Sequence, residues 1–227
     1  MSEPPRILPI FPLTGVVLLP LNWLPLHVFE PRYRAMVEDA AAGDGFIGMI
    51  QPLVPQDDNS PDPEAPPGDP PRLYPVGCAG RIERCERQAD GRFVILLRGV
   101  SRFRVREELA PRRGYRRVEA DYREFEGDLR EAEAEIDPAP ALEAALALGR
   151  ARGFELDLEK LAGLPGFSLV NGLTAAMPLS PAEKQALIEA ADPLARRELL
   201  TSLLEMNAGA IGGGSSGPLD LPSALVN

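Results

Sequence analysis

Leu24-Pro25-Leu26-His27-Val28-Phe29-Glu30-Pro31-Arg32-Tyr33-Arg34 holds an apolar alternation, a charged turn and a helix start within eleven residues. Pro31 suits a first helical position, because the N–H it lacks would be unpaired there anyway. Tyr33, Met36, Val37 and Ala40 follow at i, i+3, i+4 and i+7, which predicts a one-faced helix from Glu30 to Ala42, ended by Gly43. Upstream, residues 7–11 and 16–19 are short apolar runs bounded by Pro12, Gly15 and Pro20, and each reads as a strand or strand end. Leu21-Asn22-Trp23 reads as a turn. Its Trp23, the sole Trp, either folds back over the core or stands as a surface contact. Downstream, Phe46-Ile47-Gly48-Met49-Ile50 reads as an interior strand, with Gly48 marking a bulge or a close backbone approach.

Residues 52–71 hold eight prolines and five Asp/Glu with hardly a large apolar side chain, and read as a mobile surface insertion. Three β segments follow, over 73–88, 92–107 and 115–125, with Asp90-Gly91 as a hairpin signal between the first two. Arg98, Arg102, Arg104 and Arg106 lie two or four apart on the return strand, a spacing that could put them on one face. From Asp137 the period becomes helical: Pro140 opens one helix, short segments cover 157–164 and 168–176, and Ser180-Pro181-Ala182-Glu183 is a capping box for a helix over 181–191. Asp192-Pro193 starts the last helix, with Leu194, Leu199, Leu200, Leu203 and Leu204 as its apolar stripe. The acidic run 124–137 reads as solvated charge between elements. The organisation predicted is a β domain over 1–125, a helical bundle over 126–207 and a disordered tail over 208–227, an α+β class.

With 227 residues, 44% of them apolar, the chain can bury a core. Its net charge of −10 is unevenly placed: residues 72–123 carry 14 Arg against 7 Asp/Glu, while the flanking blocks are acidic. The acidic total argues against a dedicated nucleic-acid binder and the basic middle block keeps local RNA binding open. No apolar run reaches membrane-helix length and no signal peptide precedes the first strand, so a cytoplasmic setting is expected. Cys78 and Cys85, seven apart, have no metal-ligand spacing; each is expected to be a core thiol, on opposite faces of one strand. His27, the only His, is expected to be a hydrogen-bonded structural residue. No phosphate-binding loop, nucleophile elbow or His-based triad is present, and three His and Cys in all are too few for a zinc site. No catalytic residue, metal or cofactor is therefore assigned.

Phe11-Pro12-Leu13, the Pro20–Pro25 turn, 24–33, Gly45-Phe46-Ile47-Gly48-Met49, Val76-Gly77 with Gly80-Arg81-Ile82, and Gly99-Val100-Ser101-Arg102-Phe103, taken in order, resemble the N-terminal domain of Lon proteases over residues 7–206. The likeness is to the small stand-alone bacterial members, and related domains occur in cereblon. It implies a PUA-like β-barrel or sheet domain with an early helix, then a helical bundle. It also implies a non-enzymatic substrate-recognition module, since Lon's ATPase and Ser-Lys protease regions lie downstream of this domain. Client or unfolded polypeptide, with a protease or other protein as a further partner, is what such a module would bind. Trp23, Glu30, Arg32 and Tyr33 are the candidate contacts; Arg98, Arg102, Arg104 and Arg106 are those of the RNA alternative.

Overall fold

The computed structural model describes residues 3–54, 70–133, 135–161 and 163–209. Of the acidic segment 52–71, residues 55–69 lie outside the described residues, as does the tail from 210 on. The chain divides into two compact units, 1–129 and 130–227.

The first unit is a curled six-stranded sheet carrying one helix. Its elements are β1 (Ile7–Pro12), β2 (Trp23–Val28), α1 (Pro31–Ala42), β3 (Phe46–Ile50), β4 (Val76–Arg87), β5 (Phe93–Arg112) and β6 (Tyr115–Asp121), followed by a 3₁₀ segment, Arg123–Glu133. Strand order is β2-β5-β4-β3-β1-β6, and β6 pairs with β5 as well. Of these ladders, only that between β1 and β3 is parallel. The sheet is not a closed barrel, which narrows the barrel-or-sheet expectation. The β4 ladder on β5 ends at Arg104, the residue where the β6 ladder begins, so the two halves of one long strand serve different partners.

The expected helix forms as Pro31–Ala42, with Glu30 as extended N-cap and Pro31 at its first position. Its stripe of Tyr33, Met36, Val37 and Ala40 is buried, with Phe11, Leu24, Leu26, Ile47, Met49, Ile95 and Leu97 in the same core cluster. A second cluster holds Leu8, Ile10, Phe46, Ile50, Val100, Phe103 and Val118. Gly48 serves close side-chain approach rather than a bulge: a Cβ there would stand 2.6 Å from Leu8 Cδ2 and 3.0 Å from Phe103 Cζ.

Two local expectations are corrected. Residues 16–19 are buried at Val17, Leu18 and Leu19 but form no strand. They run as an irregular segment whose end is tied to β5, Leu21 N donating to Gly99 O (2.9 Å) and Gly99 N to Asn22 O (2.8 Å). A Cβ on Gly99 would collide with the Leu19 carbonyl, so this crossing requires glycine. Trp23 is not a turn residue but the first residue of β2.

The acidic run is not all solvated either. Asp128 is buried and accepts from Arg102 Nη2 (2.8 Å), Arg102 Nε (3.0 Å) and the Arg102 backbone N–H (2.7 Å). The Arg102 guanidinium also lies 4.6 Å from the Phe125 ring centroid. The 3₁₀ segment is thereby clamped to β5, and both charges lose water together, which a pair tolerates only when its hydrogen bonds are satisfied.

The second unit contains α2 (Ala139–Arg152), α3 (Leu158–Leu161), α4 (Gly166–Ala176), α5 (Pro181–Glu189) and α6 (Pro193–Gly209). The capping box forms in both directions: Glu183 N donates to Ser180 Oγ (3.3 Å) and Ser180 N to Glu183 Oε2 (2.7 Å). Leu200 and Leu204 of α6 are fully buried, whereas Leu194, expected in the same stripe, is 51% exposed. Buried Arg196 donates to Asn171 Oδ1 (2.7 Å) and to Leu187 O (3.2 Å), and so joins α4, α5 and α6.

Asp128→Ala leaves the Arg102 charge buried without its carboxylate and is expected to cost about 3–5 kcal/mol in urea denaturation. Replacing both residues together, Arg102→Leu with Asp128→Leu, is expected to recover part of that loss.

Candidate functional site

Among the described residues, strand β2 sits at the edge of the sheet and pairs with β5 alone. Its alternation decides what it displays. Leu24, Leu26 and Val28 are buried in the core, whereas Trp23 and Pro25 are half-buried and His27 is exposed. His27 makes no side-chain hydrogen bond among the described residues, so the expected structural role is corrected: odd positions of β2 face away from the core. Opposite Trp23, Pro25 and His27 stand Arg98, Leu96 and Val94 of β5, all half-buried. The outward side of this pair is an apolar strip of Trp23, Pro25, Leu96 and Val94. The Arg98 guanidinium lies 5.7 Å from the Trp23 ring centroid, within cation–π range.

The other three candidate contacts gather past the far end of the strand. Arg32 Nε donates to Glu30 Oε2 at 2.9 Å, and the Arg32 guanidinium stacks 4.5 Å from the Tyr33 ring centroid. Tyr33 is a core residue, 6% exposed, its ring centroid 4.2 Å from that of Phe11. Burial, first among the influences on it, raises its phenol pKa. Glu30 and Arg32 thus stay at the surface while Tyr33 anchors the helix. At about 3.3 Å per strand residue, Trp23 stands roughly 20 Å from Glu30, so the four do not form one site.

The four arginines of the RNA alternative do not share a face. Cys78 and Arg81 of β4 lie opposite Arg102 and Arg98, and between these pairs β5 carries one extra residue at Val100. That bulge reverses the alternation, so Arg98 and Arg102 point to opposite sides. Arg102 is buried on Asp128, Arg104 holds Glu124 (2.7 and 2.9 Å), and Arg106 approaches Asp121 (3.6 Å) and Glu119 (3.9 Å). A second bulge, at Glu83 of β4, returns Cys85 to the face of Cys78; Cys78 is buried, but Cys85 at the strand's end is exposed and is not the core thiol expected.

Arg112 and Arg113, at the turn between β5 and β6, bind the acidic residues of α1. Arg113 donates to Asp39 Oδ1 (2.7 Å) and Glu38 Oε2 (2.8 Å), and Tyr115 Oη donates to Asp39 Oδ2 (2.8 Å). Elsewhere in this unit a cavity of about 390 Å³ is lined by Arg6, Arg106 and Arg123 on one hand and Glu3, Asp121 and Glu126 on the other. Its charges balance in number, three against three; Asp121 takes two hydrogen bonds from the Arg123 guanidinium and is held well below the usual carboxylate range by them. Among the described residues no three His, Cys, Asp or Glu side chains could hold a metal ion, and no helix is long and apolar enough to cross a membrane.

The strip on β2 and β5 escaped sequence reading because the partner of a strand is not written in its own residues. Pro25 was the available signal. A proline inside an apolar alternation is tolerated where its missing N–H faces away from the ladder, which marks an edge strand.

A family model of the ATP-dependent protease La (LON) substrate-binding domain matches residues 7–206, and the chain belongs to that family. Lon protease 2 of Syntrophobacter fumaroxidans is 29% identical over 209 residues, covering 87% of this chain and 24% of that protein. Lon protease 2 of Myxococcus xanthus is 28% identical over 213 residues, with 88% and 24% covered. The chain thus spans about a quarter of the length of these relatives. Among solved structures, a Lon N-terminal domain protein from Xanthomonas campestris aligns with TM-score 0.56 and 27% identity, over 86% of this chain and 97% of that one. The N-terminal domain of Mycobacterium avium complex Lon protease shares the fold, with TM-score 0.59 and 21% identity over 88% and 98%.

The hydrogen bond from Tyr115, followed by Arg113, holds the Asp39 carboxyl below its ordinary pKa. A carboxylate depressed on folding contributes stability that is fully present above its unfolded value, about 3.9, and is lost as pH falls through the folded one. Asp39→Asn is therefore expected to be less stable than the parent at pH 7, with the gap closing below about pH 4 in thermal melts across that range.

Proposed function

We propose that this chain is a protein-binding module of the LON substrate-binding kind. It takes up unfolded or client polypeptide and acts as a quality-control adaptor, without bond-breaking chemistry of its own. The observation that carries this reading is the strip on the outward side of β2 and β5: Trp23, Pro25, Leu96 and Val94, with Arg98 over the Trp23 ring. A partly exposed Trp beside an Arg on an apolar ground is the composition that dominates protein interfaces. Family membership supports the same reading, because the matching model is that of a substrate-binding domain. Glu30 and Arg32 offer a second polar contact at the other end of β2. A cytoplasmic setting and a protease as downstream partner belong to the proposal as well.

Among the described residues the geometry does not favour RNA binding. Three of the four arginines expected to serve it are engaged by carboxylates of the same chain. The charge available to phosphates is reduced accordingly.

The test uses the sole Trp. Fluorescently labelled, reduced and carboxymethylated α-lactalbumin, a permanently unfolded protein, is expected to bind and to gain polarisation, while the labelled native form does not. Trp23→Ala, followed by polarisation of the labelled lactalbumin, is expected to weaken binding about thirtyfold, the loss of an interface anchor. Absence of binding to a broad panel of unfolded proteins overturns the reading, and a salt-sensitive gel shift with structured RNA replaces it.

A further inference from the structure

Resting on the protein-binding reading, the geometry points to a particular mode and partner. A client segment binds in extended form as an added strand on the free edge of β2, with a carboxylate side chain placed at the Trp23 end against Arg98.

The backbone of β2 supports this first. Gly99 N donates to Asn22 O, so even-numbered residues here turn their main-chain groups toward β5. By the antiparallel pattern, Trp23, Pro25 and His27 turn theirs outward. The edge thus offers the N–H and C=O of Trp23, the C=O of Pro25, and the N–H and C=O of His27. Pro25 stands where a missing donor breaks nothing in the β5 ladder. A row of outward donors and acceptors spaced two residues apart is matched by another extended backbone and not by a helix, whose own groups are already paired.

The side chains add the second observation. On an added strand, the residues bonded to Trp23, Pro25 and His27 would set their side chains on the same outward side as these three. Next to them lie the apolar strip and, at the Trp23 end, Arg98. Most arginines of the first unit are engaged: Arg6, Arg32, Arg92, Arg104, Arg106, Arg112, Arg113, Arg116 and Arg123 all hold carboxylates. Arg98 is different. Among the described residues it forms no ion pair, its buried Nε has no hydrogen-bond acceptor, and its guanidinium is positioned by the Trp23 ring alone. Arg84, exposed and opposite Leu96, likewise holds no carboxylate among the described residues. Glu86, opposite Val94, lies on the same side at the His27 end. The strip is thus basic near Trp23 and acidic near His27, which sets where on the client a carboxylate is favoured. A guanidinium without an acceptor, beside an edge that calls for a strand, fits an apolar segment with one acidic residue.

The experiment starts from the lactalbumin segment that binds best on a peptide array, synthesised at about eight residues, a strand's length. Backbone N-methylation is then walked along it, and each Asp or Glu is exchanged for its amide. The expected result has a period of two: methylation weakens binding at alternate residues and is tolerated between them. Exchange of one acidic residue weakens binding about tenfold, and Arg98→Gln abolishes that preference, as loss of a charge-assisted hydrogen bond requires. His27→Pro removes an outward N–H while leaving the β5 ladder intact, and is expected to weaken the peptide several-fold at unchanged thermal stability. Unfolded lactalbumin that binds without the period of two, or an acid preference that survives Arg98→Gln, overturns this inference and leaves the protein-binding reading standing. Failure of every unfolded protein to bind overturns both. Concentration-dependent pairing of two copies that His27→Pro abolishes would assign the edge to a second copy of this chain, and overturns it too.

Discussion

Strand β5 must satisfy three partners, and the rest of the first unit follows from how it does so. Over its first residues it lies between β2 and β4; beyond Arg104 it leaves β4 and continues with β6. A straight strand cannot serve both neighbourhoods. The extra residue at Val100 turns the strand and reverses its alternation, and Gly99 beside it lets the 16–22 segment cross against the backbone. One side of the sheet then packs against α1, and the other closes over Phe103 between Gly48 and Gly77. The price is that β2, paired among the described residues only with the first part of β5, remains an edge.

Charge organises the surface that this sheet leaves. The basic block of sequence does not become a basic face. Its arginines are distributed over carboxylates from distant parts of the same unit: Asp39 and Glu38 on α1, Glu119 and Asp121 on β6, Glu124 and Asp128 after it. Most of these pairs are exposed and individually weak. The Arg102–Asp128 pair differs because it is dry, and its geometry fixes where the chain leaves β6. With so much of the positive charge neutralised at home, an arginine held only by an aromatic ring acquires meaning.

Helix α1 and the capping-box helix were legible because local rules sufficed. Pro31, the 3.6-residue spacing after it, and Ser180 with Glu183 act within one or two turns, and no distant residue has to agree. The 16–19 run is buried without forming a strand, because an apolar run signals burial without saying which backbone partner is available. His27 and Cys85 depart from expectation for a related reason. Alternation predicts two faces, but which face is core, and whether a bulge intervenes, depends on the strands alongside. Of the candidate contacts, Trp23 emerges on an outward strip, whereas Tyr33 belongs to the core, a distinction that no spacing rule makes.

The sequence by itself determined the family, the starts of α1 and the capping-box helix, the hairpin at Asp90-Gly91 and the apolar stripe of α1, since each is a local pattern of residue type and period. Only the tertiary structure decided that Arg102 lies buried on Asp128, that Arg98 turns to Trp23, and that β2 is left with an open edge. These depend on strand order and on two bulges, through which pairing partners far apart in the chain are brought into register. Nothing in eleven residues, however well read, states what will lie across from them.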